Sequence, residues 1–141
     1  MSKVRYKYKA IATSLVPAKY DFMPIIPITI CYRNNKLSVM ALVDSGAVRC
    51  FCHVEVGVQL GISLDECERN SLKGLGGVVP TYIQEIEIDI EHGKYRFAAN
   101  VDFGVFSFHG FSFILGQKDF FDNINVLFEG RKQRLELHFP R

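Results

Sequence analysis

The sequence predicts an all-β, barrel-like domain, and three observations carry that reading. Apolar and polar residues alternate with a period of two in short runs, from Ile86 to Ile90 and again from Tyr95 to Val101. Tight-turn residues punctuate these runs, as at Arg33-Asn34-Asn35-Lys36 and His92-Gly93. The composition agrees, because 12 Phe together with frequent Val and Ile favour strands over helices. At 141 residues the chain (1–141) reads as one domain, large enough for a single core without staples.

Taken in order, Lys3, Arg5, Lys7 and Lys9 alternate with Val4, Tyr6 and Tyr8, the pattern of a strand with one wet face. Pro24 and Pro27 lead into Ile28-Thr29-Ile30-Cys31-Tyr32, and the turn at 33–36 follows. Asn is expected to take the positive φ that a two-residue hairpin turn requires. The return strand runs from Leu37 to Val43 and ends on Asp44. Phe51, Val54 and Val58 then recur at helical spacing, with Leu60-Gly61-Ile62 as a stop, so a short helix is expected here. From Gln84 the period becomes two. Ile86, Ile88 and Ile90 share one face, which leaves Glu85, Glu87 and Asp89 on a solvated strand face rather than in a metal or acid–base cluster. After His92-Gly93 the alternation resumes at Tyr95, Phe97, Ala99 and Val101. Ile124 to Phe128, a turn at Glu129-Gly130, and Leu135, Leu137 and Phe139 repeat the theme. The Phe residues at 103, 106, 108, 111 and 113 read as core or as the lining of an apolar cleft, with core preferred.

A net charge of +2 is too small to argue for a nucleic-acid partner, and Arg131-Lys132-Gln133-Arg134 reads as a solvated turn. No apolar run approaches a membrane span. The basic, alternating start lacks a secretory apolar region, so a cytoplasmic location is expected. Cys31, Cys50, Cys52 and Cys67 have neither disulfide nor zinc spacing, and Cys50-Phe51-Cys52-His53 has no second Cys/His pair. Buried free thiols in a reducing compartment are expected, with no metal and no cofactor.

Three motifs carry the chemistry. Ala41-Leu42-Val43-Asp44-Ser45-Gly46-Ala47 delivers a carboxylate from an apolar strand into a Ser-Gly turn, and the chain has no other Asp-Ser/Thr-Gly tripeptide. Gly74-Leu75-Gly76-Gly77 reads as a hairpin tip, and Phe113-Ile114-Leu115-Gly116 as an apolar strand running into glycine. In this order, about 30 to 40 residues apart, they resemble the retropepsin family of single-domain aspartic proteases, over roughly residues 24–128. Leu115-Gly116-Gln117-Lys118-Asp119-Phe120-Phe121-Asp122 is most similar to cellular members of prokaryotic type.

The resemblance implies a closed acid-protease barrel with a flap hairpin and one or two short helices. It implies a homodimeric aspartic endopeptidase that needs no cofactor and acts on an extended peptide. Asp44 would be catalytic with its symmetry mate, Ser45 would hydrogen-bond across the two-fold axis, Gly46 would let the backbone pass close to the dyad, and Ala47 would be among the residues that lock and support the loop. Ile114, Leu115 and Gly116 would buttress that loop, followed by a short helix from Gln117 to Phe121. Gly74, Leu75, Gly76 and Gly77 would form the flap tip. Asp102, in Val101-Asp102-Phe103-Gly104, lacks the hydroxyl residue, so a second copy must supply the second acid. The pattern departs from the family where an acidic residue is usual after the motif and an Arg after the later glycine; Val48, Arg49 and Gln117 stand there. That departure keeps a rival open, a catalytically inert module of the same fold that binds peptides or dimerises. The terminal strands, which build the dimer interface in viral relatives, are extended at both ends here.

Overall fold

The computed structural model describes residues 2–15, 18–74, 77–107 and 109–140. Strands β1 (Ser2–Lys7), β2 (Lys9–Leu15) and β3 (Ala18–Met23) precede the hairpin of β4 (Ile25–Tyr32) and β5 (Asn35–Val43). A short strand, β6 (Cys50–His53), runs into helix α1 (Val54–Gln59). A long hairpin follows, β7 (Glu68–Gly74) with β8 (Gly77–Ile90), and then β9 (Tyr95–Gly104) and β10 (Phe113–Leu115). β11 (Asn125–Glu129) and β12 (Arg134–Phe139) complete the order.

The main sheet has the order β4-β5-β10-β6-β9-β8-β7, and β4 also pairs with β8. Those six strands from β4 to β8 therefore close into a barrel, leaving β7 outside it, attached only to β8. Closure removes the edges of those six strands, which would otherwise invite pairing with other chains, and leaves β7 as the edge strand. The barrel is filled from alternate positions, as the period-two runs require: Ile28 and Ile30 of β4, Ile86, Ile88 and Ile90 of β8, and Phe103 and Phe113 are all buried. Each such side chain contributes about 1.5–3 kcal/mol by leaving water. Glu85 and Glu87 face solvent as expected, and Asp89 does a turn's work: it accepts from the Gly93 N–H at 2.6 Å and pairs with Arg96 at 3.2 Å.

Three local expectations are corrected. The positive φ of the β4–β5 turn falls on Arg33 (φ 54) rather than on Asn, and its guanidinium lies 5.0 Å above the Tyr32 ring. The helix forms, but Phe51 belongs to β6 and Val58 is 57% exposed. Gly57 is what α1 turns to the core, where an added Cβ would stand 2.7 Å from Phe103 Cδ1. The segment Gln117–Phe121 is not a regular helix, because Lys118 is extended (ψ 132) and Asp119 has φ 74. Its carboxylate instead accepts from the Asn100 N–H at 2.9 Å, and its carbonyl from Asn123 Nδ2 at 2.9 Å.

The chain ends build a second, three-stranded sheet in which β12 lies between β1 and β11. Leu135, Leu137 and Phe139 bury one face against the barrel core. On the other, Glu136 is gripped by Arg5 at 2.9 Å and His138 at 2.6 Å. β2 and β3 pair only with each other, as a separate ribbon. The ribbon's Ile11 packs where a Cβ on Gly110 (φ +88) would come within 2.6 Å of it, while Tyr20 and Phe22 are exposed. Among the described residues no helix is long and apolar enough to cross a membrane.

Candidate active site

β5 carries the buried Val43 up to Asp44, whose own N–H donates to the Leu115 carbonyl at 3.0 Å. That bond continues the parallel pairing of β5 with β10, in which Leu42 faces Ile114 and Val43 faces Leu115. The chain then folds back on the aspartate. The Gly46 N–H donates to Asp44 Oδ1 at 2.9 Å, and the Ala47 N–H to the Asp44 carbonyl at 3.2 Å. Asx turns of this kind are what Asp-Ser-Gly sequences favour. A Cβ at Gly46 would stand 3.2 Å from that same carboxylate oxygen, so the glycine leaves room for it.

Gly116 holds the loop from behind. A Cβ there would lie 2.4 Å from the Arg49 carbonyl oxygen and 2.8 Å from that of Ala47, distances no real side chain tolerates. With no side chain in the way, the two segments cross closely enough to bond: the Gln117 N–H donates to the Ala47 carbonyl at 2.8 Å, and the Lys118 N–H to that of Val48 at 2.9 Å. The Gln117 side chain donates to the Ser45 carbonyl at 2.6 Å. Asp44, Ser45, Gly46, Ala47, Ile114, Leu115 and Gly116 are thus brought together. Gln117, in the place of the family's Arg, binds the same loop.

Two grooves flank this loop. One, of about 350 Å3, is bounded by the Gly46–Arg49 stretch, by Phe51 and Ile114, and by Leu72, Lys73 and Val79 of the β7–β8 hairpin. The register Leu72↔Val79, Lys73↔Val78 and Gly74↔Gly77 carries the hairpin to its tip; Leu75 and Gly76 lie outside the described residues. The other groove, about 360 Å3, contains Asp44 and Ser45 themselves, with Met23, Pro24, Val43 and Phe128. Phe106 packs at a tilt against Phe51, with ring centroids 4.9 Å apart, and lines the first groove, whereas Phe103 and Phe113 are core; Phe108 lies outside the described residues.

Sequence reasoning passed over one cluster. Asp102 is wholly buried on β9, with Arg49 Nε 3.0 Å from its Oδ2. Its Oδ1 accepts from Thr81 Oγ1 at 3.1 Å, with Asn70 Nδ2 at 3.5 Å. The Arg49 N–H is not aimed at the oxygen, so the contact is an ion pair without an aligned hydrogen bond. Asp102 is therefore the counterion of Arg49, not a second acid for Asp44. A lone carboxylate between Val101 and Phe103 in an apolar strand was the available signal. All four cysteines are free thiols, and burial pushes the Cys50 thiol up to about 11. Among the described residues no three His, Cys, Asp or Glu side chains gather as a metal site.

No protein-family model matches the sequence, and no curated protein matches it in sequence. The fold is another matter. A retropepsin-like aspartic protease from Rickettsia conorii superposes with a TM-score of 0.58 at 17% identity, covering 98% of this chain and 94% of that one. EIAV protease, solved with the inhibitor HBY-793, superposes with a TM-score of 0.52 at 17% identity, covering 67% of this chain and 82% of that one. The chain has the retropepsin-like aspartic-protease fold. The Rickettsia likeness spans the terminal strands as well as the barrel.

Proposed function

We propose that this chain is an aspartic endopeptidase, active as a homodimer, in which Asp44 and its symmetry mate activate water against a peptide bond. The observation that supports it most is the seating of Asp44 at the mouth of the parallel β5–β10 pair, tied by Gly46 and crossed from behind by Gly116. Amide hydrolysis without metal or covalent intermediate needs a base to take a proton from water and an acid to protonate the departing amine. Two carboxylates about 3 Å apart do both, because they cannot both ionise and so hold one proton between them, as aspartic proteases generally do. The chain supplies one such group, so two copies must meet with their Asp44 loops face to face.

The groove holding Asp44, Ser45, Met23, Pro24 and Phe128 is the face on which they would meet. Leu127 and Phe128 are exposed beside it. Ser45, also exposed, would bond across the axis. Substrate would lie in the other groove as an extended strand, under the β7–β8 hairpin acting as a flap, with Gly74, Leu75, Gly76 and Gly77 at its tip.

Asp44→Asn is the deciding variant. It should fold normally and lose peptidase activity by several orders of magnitude; retained activity would reject the proposal. Sedimentation should find the active species to be a dimer. Activity should rise on the acidic side of neutrality, where the pair holds its shared proton, and a flat profile from about pH 4 to 8 would count against it. The inert-module reading draws on Val48, Arg49 and Gln117, which remove the usual acid and Arg. A statine peptide separates the two. Tighter binding with Asp44 intact supports catalysis; equal affinity for wild type and Asp44→Asn supports the module.

A further inference from the structure

The groove beside the acid loop has an unusual charge inventory. Its walls are largely apolar, with Val48, Phe51, Leu72, Val79, Phe106 and Ile114 among them, and among the described residues they include two cations, Arg49 and Lys73, and no acidic side chain. Lys73 is exposed on the hairpin strand. Arg49 is different: its side chain is only 22% exposed, and behind it stands a carboxylate with no exposure at all. Asp102 lies between Val101 and Phe103, both fully buried, where an ionised group is costly unless its charge and oxygens are matched. Thr81 and Asn70 take one oxygen, and the guanidinium takes the other through Nε. The Nε contact is an ion pair without an aligned hydrogen bond, so Asp102 acts as a fixed countercharge, and the planar guanidinium keeps the donor geometry that suits a second carboxylate. The arrangement is a cation fixed in a groove wall from behind.

We propose that this groove selects peptide segments carrying a carboxylate side chain, Glu or Asp, two residues from a bulky apolar one. Arg49 is the specificity-determining cation and Asp102 the residue that positions it. This rests on the peptidase reading for its substrate, and it names the class of sequence that reading leaves open. An extended peptide in the groove places its apolar side chain among Phe51, Ile114 and Phe106, and side chains two apart on one face are about 7 Å from each other. A carboxylate two residues along can therefore meet the guanidinium while the apolar group stays buried. The ionic partner on the hairpin, Lys73, would add to the field when the hairpin closes.

The test uses one series of peptides, identical except for Glu, Gln or Lys two residues from an apolar residue, at about pH 6, where Glu is ionised. Cleavage is read with the wild-type chain and equilibrium binding with Asp44→Asn, which reads groove preference whether or not anything is hydrolysed. Glu over Gln by about tenfold, and Gln over Lys, is expected in both measurements, as suits one charge-assisted contact. In Arg49→Gln the Glu-to-Gln ratio should fall to within twofold. If that variant does not fold, Lys73→Gln should reduce the ratio, and raised salt should do the same in wild type. Cleavage without a Glu preference overturns this inference and leaves the peptidase reading standing; binding without a Glu preference and without cleavage overturns both. A Glu preference in binding with no cleavage by wild type supports it and overturns the peptidase reading; no binding of any peptide overturns both.

Discussion

Replacing Gly116 by alanine should dislodge the Asp44 loop while leaving the barrel to fold. A Cβ there meets three backbone atoms, Arg49 O at 2.4 Å, Arg49 C at 2.7 Å and Ala47 O at 2.8 Å. None belongs to a flexible side chain, so relief requires the 47–49 backbone to retreat by roughly 1 Å, starting from contacts that ordinarily stay near 3.5 Å. The same retreat stretches the Gln117–Ala47 and Lys118–Val48 hydrogen bonds, which are 2.8 and 2.9 Å long. Overpacking of this kind costs about 1–3 kcal/mol, and each weakened bond about 1 kcal/mol. The expected loss is about 3–5 kcal/mol, read by urea denaturation, or a fall in Tm of roughly 10–15 °C for a domain of this size. Backbone conformation is not the cause, since Gly116 has φ −114. Gly130→Ala is the matched control, with nothing within 4 Å of its Cβ, and it should be neutral or slightly stabilising. A Gly116→Ala protein within about 1 kcal/mol of wild type would refute the reasoning.

Asp102→Asn should cost about 2–4 kcal/mol in urea, because it strips a mostly buried Arg49 of its counterion; joint replacement by Arg49→Met and Asp102→Leu should recover part of that loss, and strictly additive losses would contradict the pairing. A thiol reagent should label Cys31 and Cys67, which are partly exposed, before it reaches the buried Cys50 and Cys52, and all four only on unfolding; four equivalent thiols in the native protein would contradict the core. Acid stability has a definite sign. His138 and then Arg5 hold Glu136 below the usual carboxylate range, and Arg134 does the same for Glu129. Their contribution is complete above the ordinary Glu value, near pH 4.3, and is lost as pH falls through the lowered folded values. The urea midpoint should drop more steeply below about pH 4 in wild type than in Glu136→Gln, and parallel curves would exclude this role.

The barrel strands were legible because burial on one face writes itself into every second residue, as Ile86, Ile88 and Ile90 do. The acid loop was legible for a different reason: Asp-Ser-Gly, and a glycine at 116, meet local steric demands that few other residues satisfy. What stayed hidden was non-local. Asp102 and Arg49 are far apart in sequence and form a pair only because β6 lies parallel to β9. The face of α1 was misjudged because counting apolar side chains cannot register Gly57, which packs on Phe103 by having none. The β2–β3 ribbon gave no warning either: Ala10 and Ala12 sit opposite Phe22 and Tyr20, so the small residues mute the pattern.

The pairing of β1 with β12 has a kinetic side. Lys3 and Glu136, whose charged groups lie 3.9 Å apart, are 133 positions apart in sequence, so this sheet closes the longest loop among the described side-chain contacts. Loop entropy makes such a contact a late one, after the local hairpins β4–β5 and β8–β9 have formed. Folding should accordingly fall in the slow range of β-rich domains, milliseconds to seconds. The barrel would then be nearly assembled while the edge of β12 still waits for β1, and that interval is when the chain is most exposed to pairing with the wrong strand.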